Sequence, residues 1–251
     1  MTVPGHRLQP ATPSSLPFQL LCLFFVLIWG MMVWSDPPQT TSSSLGSTEL
    51  KGWKNIGRHG DVTLYSKSVP DSSMLAVRGV AVVDTPLPLL METFFDIGLS
   101  KQWVADLHTF QELKVDKSHN GLLKQRYRVA GGLVVKDREF LLSRKVKKTK
   151  KNEVKVQYKS VEDKKHPVCK GCIRSVTDDT TWVFTNLRSG DGSSVGTRID
   201  LQAYLDPKGS LSPMLVNLIQ KGWPKKSINS LVKLAEKRKS KTKIGKEWTG
   251  W

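Results

Sequence analysis

An α+β fold, in which a long antiparallel sheet is closed by a C-terminal helix, is what the sequence predicts, and three observations predict it. Between Asp61 and Leu205, nine runs of strand-forming residues follow one another, most of them alternating apolar and polar side chains and several bounded by turn residues. Most of the connections are short, as between antiparallel neighbours. Two segments replace the period of two with a helical one: Pro86 to Leu99, and the stretch beginning at Pro213.

The chain has 251 residues, and its first 48 differ in kind from the rest. They carry only Arg7 and Asp36, which cancel, so the net charge of +17 belongs to residues 49–251. One folded domain of about 200 residues accounts for that remainder and is long enough to bury a core. The positive charge favours anionic partners, acidic membrane lipids or nucleic acid, and says nothing about fold.

After a polar segment over residues 1–15, Leu16 to Trp34 is a run of 19 residues without a charge, with Trp29 and Trp34 near one end. A bilayer span needs about 20 apolar residues, and tryptophans favour the membrane interface. This predicts a single transmembrane signal-anchor over 16–34. A cleaved signal peptide ending near Val33-Trp34-Ser35 is the alternative, which the bulk of Trp34 and the length of the run disfavour. By the positive-inside rule Arg7 on one side, with Asp36 and Glu49 on the other, favours the lumenal side for the domain, and resting on one Arg this leaves the cytosolic side open. Residues 35–48, rich in Ser, Thr and Pro, read as a flexible linker. The domain is expected over 49–236 and a basic tail over 237–251.

The expected strands are Asp61–Lys67, Met74–Val83, Phe110–Asp116, Leu122–Ala130, Arg138–Lys147, Glu153–Val161, Gly171–Thr177, Thr181–Leu187 and Thr197–Leu205. In the first helix Leu87, Leu90, Met91, Phe94 and Phe95 share a face. In the second, Met214, Leu215, Leu218 and Ile219 share one, Pro224 is expected to break or kink the run, and Ile228, Leu231, Val232 and Ala235 resume it.

The segment Asp206-Pro207-Lys208-Gly209-Ser210-Leu211-Ser212-Pro213-Met214-Leu215-Val216-Asn217 leads from the last strand into that helix. Pro213 suits a first helical turn. The run resembles the "D-x-x-G-x-x-P-x-x-x-x-N" signature of the StAR-related lipid-transfer (START) family. Arg138-Glu139-Phe140 resembles the family's Arg-Asp-Phe strand start, and His166-Pro167 with Gly171 and Arg174 its "His-Pro … Gly-x-x-Arg" passage. Trp182-Val183-Phe184 and Thr197-Arg198-Ile199 fall where its last two strands lie. The likeness spans about Leu50 to Ala235, with Met214 standing where the family commonly has an aromatic. It implies a helix-grip fold: a curved antiparallel sheet of about nine strands, with the C-terminal helix as lid over a tunnel. The tunnel would hold one lipid, a sterol, phospholipid or sphingolipid, and carry it between membranes. It implies no enzyme and no cofactor.

Strand alternation gives candidate lining residues. Leu123, Gln125, Tyr127 and Val129 share one face of their strand, opposite Lys124, Arg126 and Arg128. Phe140, Leu142, Arg144 and Val146 share a face of the next. Arg144 thus sits among apolar neighbours, and a buried Arg needs a partner or a polar ligand. START domains similarly place an Arg there, often with an acid on the preceding strand, where Gln125 is the expected match. The alternative is that Arg144 points to solvent or pairs with Glu139 or Asp137. Trp103 packs in the core or lines the ligand. The expected lipid-binding set is Arg144, Gln125, Tyr127, Phe140, Leu142, Trp103, Met214 and Leu218. Arg138 matches a family Arg that fastens loop backbone.

Lys237, Arg238, Lys239, Lys241 and Lys243 form the expected membrane-docking set, each contributing about 1 kcal/mol near an anionic leaflet. Trp248 could enter the interface beside them. The alternative is a solvated tail. Cys169 and Cys172, with His166 upstream, offer three ligands where zinc usually takes four. They read as loop cysteines or a local disulfide, with no metal expected. None of the five histidines stands in a metal or catalytic spacing. The rivals are a lipid sensor or tether that does not transfer, an enzyme on the related fold acting on a hydrophobic substrate, and a nucleic-acid binder, for which no motif accompanies the charge.

Overall fold

Asp61 to Lys67 alternates apolar and polar residues and forms a strand, and the same reasoning places eight of its partners. The computed structural model describes residues 51–128, 135–150, 152–245 and 248, and all side chains among them except those of Lys150, Leu215 and Leu218. All of these lie in one unit, Gly46–Trp251. The elements in chain order are β1 (Lys54–His59), β2 (Val62–Ser68), β3 (Leu75–Val83), α1 (Leu87–Phe95), α2 (Ser100–Trp103), β4 (Leu107–Val115), β5 (Gly121–Tyr127), β6 (Asp137–Lys150), β7 (Glu153–Ser160), β8 (Cys172–Arg174), β9 (Val176–Arg188), β10 (Ser194–Asp206) and α3 (Pro213–Arg238). Among the described residues the strands form one sheet in the order β1-β2-β3-β10-β9-β7-β6-β5-β4, antiparallel throughout except for β8, which lies parallel to the start of β6.

Three differences from the expected elements have local causes. β1 carries one inward apolar residue, Ile56, beside Gly57, so no alternation announces it. Gly171–Thr177 and Thr181–Leu187 were expected as separate strands, but β9 runs through Asp178-Asp179-Thr180. Tyr204 pairs with Asp179 and Leu205 with Thr177, so Asp178 is the extra residue of a bulge rather than part of a turn. The helix expected to Leu99 stops at Phe95, where Asp96 turns extended, and resumes as a 3₁₀ turn (Ile97–Leu99) and α2.

Pro224 does not break the last helix, which continues to Arg238. Proline removes one backbone hydrogen bond there. The offset lies across the interface: a Cβ at Gly79 on β3 would stand 2.7 Å from Pro224 Cβ and 3.2 Å from Ile228 Cδ1. The bare strand surface at Gly79 receives the proline ring. α3 faces the sheet with Val216, Gln220, Pro224, Ser227, Ile228, Leu231 and Ala235, of which Ser227, Ile228, Leu231 and Ala235 are fully buried. Burial of a side chain such as Ile228 or Leu231 stabilises by about 1.5–3 kcal/mol.

The described residues beyond α3 stay packed on the fold. Arg238 pairs with Asp96 at 3.3 Å, the Gly245 amide donates to Glu92 Oε1 at 2.5 Å, and Trp248 is 4% exposed. Its indole stacks on Phe95, which stacks in turn on His119. The expected exposure of Trp248 is therefore corrected: α1 supplies an aromatic surface that covers it. No helix among the described residues is long and apolar enough to cross a membrane. The span expected over Leu16–Trp34 and the linker after it lie outside the described residues.

Candidate functional site

The residues between the sheet and α3 do not fill the space between them. A cavity of about 340 Å³ lies there. From β5 it is lined by Gln125 and Tyr127, from β6 by Phe140 and Leu142, from β7 by Tyr158, and from β9 by Thr177, Thr180 and Trp182. Phe94 of α1 and Trp103 of α2 close it from the side, with Val216, Ile219, Gln220 and Trp223 of α3 above. Period two on the strands and 3.6 on the helix bring these side chains to one space.

The wall is mostly hydrocarbon and aromatic. Phe94 packs against Trp103, Trp182 and Phe184 with ring centroids 5.2, 5.4 and 5.3 Å apart. Its polar groups are few and largely paired with each other. Tyr127 Oη donates to Gln125 Oε1 at 2.9 Å, and the Thr177 and Thr180 hydroxyls are 2.9 Å apart. Burial pushes the Tyr158 phenol up to about 12 and raises that of Tyr127 further, so both are neutral donors. Gln220 Nε2 donates to Leu205 O at 2.7 Å, but Gln220 Oε1 and Trp103 Nε1 are buried without a hydrogen-bond partner in the protein. Buried polar groups are normally satisfied, so these two atoms mark where a ligand's polar part can bond.

One side of the cavity reaches solvent past Asp106, Arg128, Leu211 and Ile219. Asp106, the one carboxylate among the described lining residues, is exposed and pairs with Lys226 of α3 at 3.5 Å. Arg138 borders this side and is 3% exposed. Its guanidinium donates to the carbonyls of Pro207 and Lys208, each at 3.1 Å, and to that of Lys136. Arg138 thereby fixes the loop from β10 to α3, and desolvation lowers its pKa. The rest of that loop is set by its sequence. Asp206 Oδ1 accepts from the Lys208 amide at 2.9 Å, Gly209 has φ +75°, and a Cβ on it would stand 2.7 Å from Ile173 Cδ1. Pro213 opens α3, and Asn217 bonds both the Leu75 amide at 2.9 Å and the Ser73 carbonyl at 3.0 Å. Each fixed residue of the run from Asp206 to Asn217 thus has a mechanical task in seating α3.

Of the residues expected to bind lipid, Gln125, Tyr127, Phe140, Leu142 and Trp103 line the cavity. Arg144 does not. It is 2% exposed and lies deeper, with Nη2 at 2.8 Å from Glu112 Oε1, Nε at 2.5 Å from the His119 carbonyl, and the guanidinium 5.3 Å from the Phe95 ring centre. Its acid partner is therefore Glu112 of β4, not a residue of β5. Opposite Arg144 on β5 stands Gly121, while Gln125 faces Phe140. Met214 is 81% exposed and is not part of the lining, because the sheet-facing stripe of α3 passes through Val216, Gln220 and Trp223. The Leu218 side chain lies outside the described residues. Of the docking set, Lys237, Lys239, Lys241 and Lys243 are exposed, while Arg238 is half-buried against Asp96. Sequence reasoning missed Tyr158, Thr180, Gln220 and Trp223. Alternation of Val154, Val156 and Tyr158 on β7 carried the signal for the first.

The segment from Glu162 to Gly171 lies on the other face of the sheet. The Pro167 carbonyl accepts from Lys124, the His166 carbonyl accepts from Arg174, and Lys124 and Arg174 both pair with Glu139, at 3.2 and 2.9 Å. These are outward residues of β5, β6 and β8. Cys169 and Cys172 are joined as a disulfide within 4.8 Å of Glu139. With the sulfurs bonded to each other and the carboxylate held by two cations, the trio has no thiolate or free carboxylate for a metal.

The fold is shared with proteins of known structure. Human STARD10 superposes with a TM-score of 0.66 at 17% identity over 84% of this chain and 89% of that one. Human StAR-related lipid transfer protein 5 gives 0.66 at 14% over 87% and 94%. The lipid transfer and protein localization domain of human StarD13 (DLC2) gives 0.60 at 15% over 88% and 98%. At such identities these likenesses show the fold alone. No curated protein matches the chain by sequence. The model of the START domain, however, matches residues 39–237, most of the chain, and so the chain belongs to the START domain family.

Proposed function

We propose that this protein binds a single lipid in the cavity beneath α3 and transfers it between membranes, acting from a membrane to which residues 16–34 tether it. The cavity carries the proposal: about 340 Å³ walled by aromatic and aliphatic side chains. A lipid chain gains about 0.8 kcal/mol for each CH₂ removed from water, so such a space offsets most of the cost of leaving a bilayer. Membership of a lipid-transfer family supports the same reading. The polar end of the lipid meets Trp103 Nε1 and Gln220 Oε1, a donor and an acceptor that suit a neutral hydroxyl or ester better than a charged group. An acid–base pair in the lining would favour an enzyme, but the one carboxylate among the described lining residues is the exposed Asp106.

Native mass spectrometry of the protein purified from cells tests the reading and identifies the ligand. One bound lipid per chain is expected. Ala105→Trp, which pushes a large ring into the cavity from its rim, should abolish that adduct while the fold persists. An empty wild-type protein that also takes up no lipid from vesicles would overturn the reading. Tight binding without movement of lipid between vesicles would make it a sensor or tether.

A further inference from the structure

β8 is three residues long, and among the described strands it pairs only with β6. So short a strand is held by few hydrogen bonds and opens at little cost, yet it supports the mouth of the cavity. Ile173 packs on Gly209, where an added Cβ would stand 2.7 Å from Ile173 Cδ1, and the Ser175 hydroxyl donates to the Pro207 carbonyl at 2.8 Å. Both contacts fall on the loop from β10 to α3, whose Pro207 and Leu211 line the cavity. β8 begins at Cys172, and the bond to Cys169 closes the turn in which the Cys172 amide donates to the Cys169 carbonyl at 3.0 Å. The disulfide thus fixes the start of a strand that holds the loop. Its surroundings suit a bond that opens. Cys169 and Cys172 are half-buried, within reach of another thiol. Their sulfurs lie within 4.8 Å of the Glu139 carboxylate, which is paired with Lys124 at 3.2 Å and Arg174 at 2.9 Å. Two positive charges against one negative leave an excess that one thiolate neutralises. On the segment itself Glu162 and Asp163 are outnumbered by Lys164, Lys165 and Lys170. Positive neighbours stabilise a thiolate, and a stabilised reduced form makes a disulfide easier to reduce.

We propose that the Cys169–Cys172 bond is a redox site whose reduction by a dithiol loosens the loop from β10 to α3 and speeds the passage of lipid through the mouth of the cavity. A thiolate of the reductant attacks one cysteine sulfur. The S–S bond breaks, and its electron pair leaves on the other sulfur as a thiolate beside Lys124 and Arg174. The second thiol of the reductant then attacks the mixed disulfide. The dithiol ends as a disulfide, and the cysteine pair has gained two electrons and the protons of the reductant's thiols. Without the bond the start of β8 frays, and Ile173 and Ser175 leave Gly209 and Pro207 more often. Arg138 still holds the Pro207 and Lys208 carbonyls, so the loop loosens without detaching. The consequence for lipid rests on the lipid-binding reading above; the redox step and the loosening of the loop do not.

The test uses the full chain, oxidised or treated with excess dithiothreitol, with thiols counted by alkylation and mass spectrometry. The pair should open in the folded protein. Lipid exchange between vesicles should then rise on the order of fivefold, since a bond closing so short a loop stabilises only modestly. Amide hydrogen exchange should quicken over residues 172–175 and 206–213. Cys169→Ser with Cys172→Ser should give the fast rates with or without reductant, and Cys22→Ser, which keeps the pair, should respond as the wild type does. A pair that stays closed in excess dithiol overturns the proposal. So do rates that full reduction leaves unchanged, or a response to reductant that persists in the double variant. Should the double variant fail to fold, the reduced wild type supplies the open state for the same comparison. Native mass spectrometry of both states keeps the two readings apart: no lipid adduct in either sinks lipid binding, while hydrogen exchange over the loop still decides the redox coupling.

Discussion

Arg144 and Tyr158 stand opposite each other on β6 and β7, and of the two only Tyr158 reaches the cavity. The guanidinium lies behind the phenol, where its charge opposes the rise in the Tyr158 pKa that burial causes, and it bonds Glu112 and the His119 carbonyl. The charge is thus a support of the cavity wall and not a group offered to the ligand.

Arg144→Met should accordingly cost stability more than binding. It leaves Glu112 without its partner, but that carboxylate is 30% exposed, so the loss falls between those for an exposed and a buried pair, about 2 kcal/mol. Urea denaturation measures it, and a cycle with Glu112→Gln isolates the pair. Lipid occupancy at saturating lipid should remain. A stable variant that no longer takes up lipid would place Arg144 in the site after all.

The sequence made some of this legible and hid the rest for identifiable reasons. Alternation assigned Leu123, Gln125 and Tyr127 to the inner face correctly, because period two decides a face without knowledge of neighbours. It could not fix pairing. Setting Gln125 against Arg144 needs the length of the connection between β5 and β6, and the observed register puts Gly121 there instead. Glu112, two strands away, was out of reach for the same reason. On α3 the apolar residue Met214 pointed to a sheet-facing stripe that lies instead on Val216, Gln220 and Trp223, with Ile219 at the edge of the cavity. A polar Gln220 in that stripe is the sign of a cavity rather than a packed core. The motif from Asp206 to Asn217 was readable because turn and cap residues act locally, each within a few residues of itself or at one bridged strand.

Gln220 carries the next prediction. Its Oε1 lacks a partner while its Nε2 holds the Leu205 carbonyl. A lipid with a free hydroxyl should bind more tightly than its analogue without one. Gln220→Met should narrow that preference on the order of fivefold, the value of one hydrogen bond. Competition between the two lipids, read by mass spectrometry, measures it. An unchanged preference would move the polar contact elsewhere.

Tyr127 and Tyr158 make stability depend on alkaline pH. Both folded pKa values lie above the ordinary phenol value of 10.0, that of Tyr158 at about 12. Between about pH 10 and 12 the unfolded chain therefore releases protons that the folded chain keeps, so stability present below pH 10 is lost as pH rises. Replacing both by Phe should flatten this decline. The comparison is the midpoint of denaturation from pH 8 to pH 11 in wild type and variant. An equal slope in the two would mean that these phenols do not ionise on unfolding in that range.

Trp248 decides whether the end of the chain is a free tail. Its ring is parallel to that of Phe95, with centroids 5.4 Å apart, and Phe95 carries His119 at 4.1 Å and the Arg144 guanidinium at 5.3 Å. The stack therefore reaches, through Arg144, the residue behind Tyr158. Large-to-small substitution of a buried Trp costs about 3–5 kcal/mol in a core, and a segment near a chain end, held otherwise by the Gly245 and Arg238 contacts, should lose less, about 2 kcal/mol. Trp248→Ala is expected to lower the unfolding free energy by that amount, read as a lower denaturation midpoint, without altering net charge. This bears on any attempt to probe the basic residues by truncation. Cutting after Ala235 removes Lys237, Lys239, Lys241 and Lys243, but it also removes Arg238 from Asp96 and Trp248 from Phe95. Such a truncation would weaken vesicle binding through loss of fold on neutral and anionic vesicles alike. Charge reversal at Lys239, Lys241 and Lys243, which leaves Trp248 in place, separates the two effects: near-normal stability is expected, so a loss of binding confined to anionic vesicles reports the lysines themselves. If Trp248→Ala leaves the midpoint unmoved, the segment beyond α3 contributes nothing to the fold and truncation becomes a fair test again.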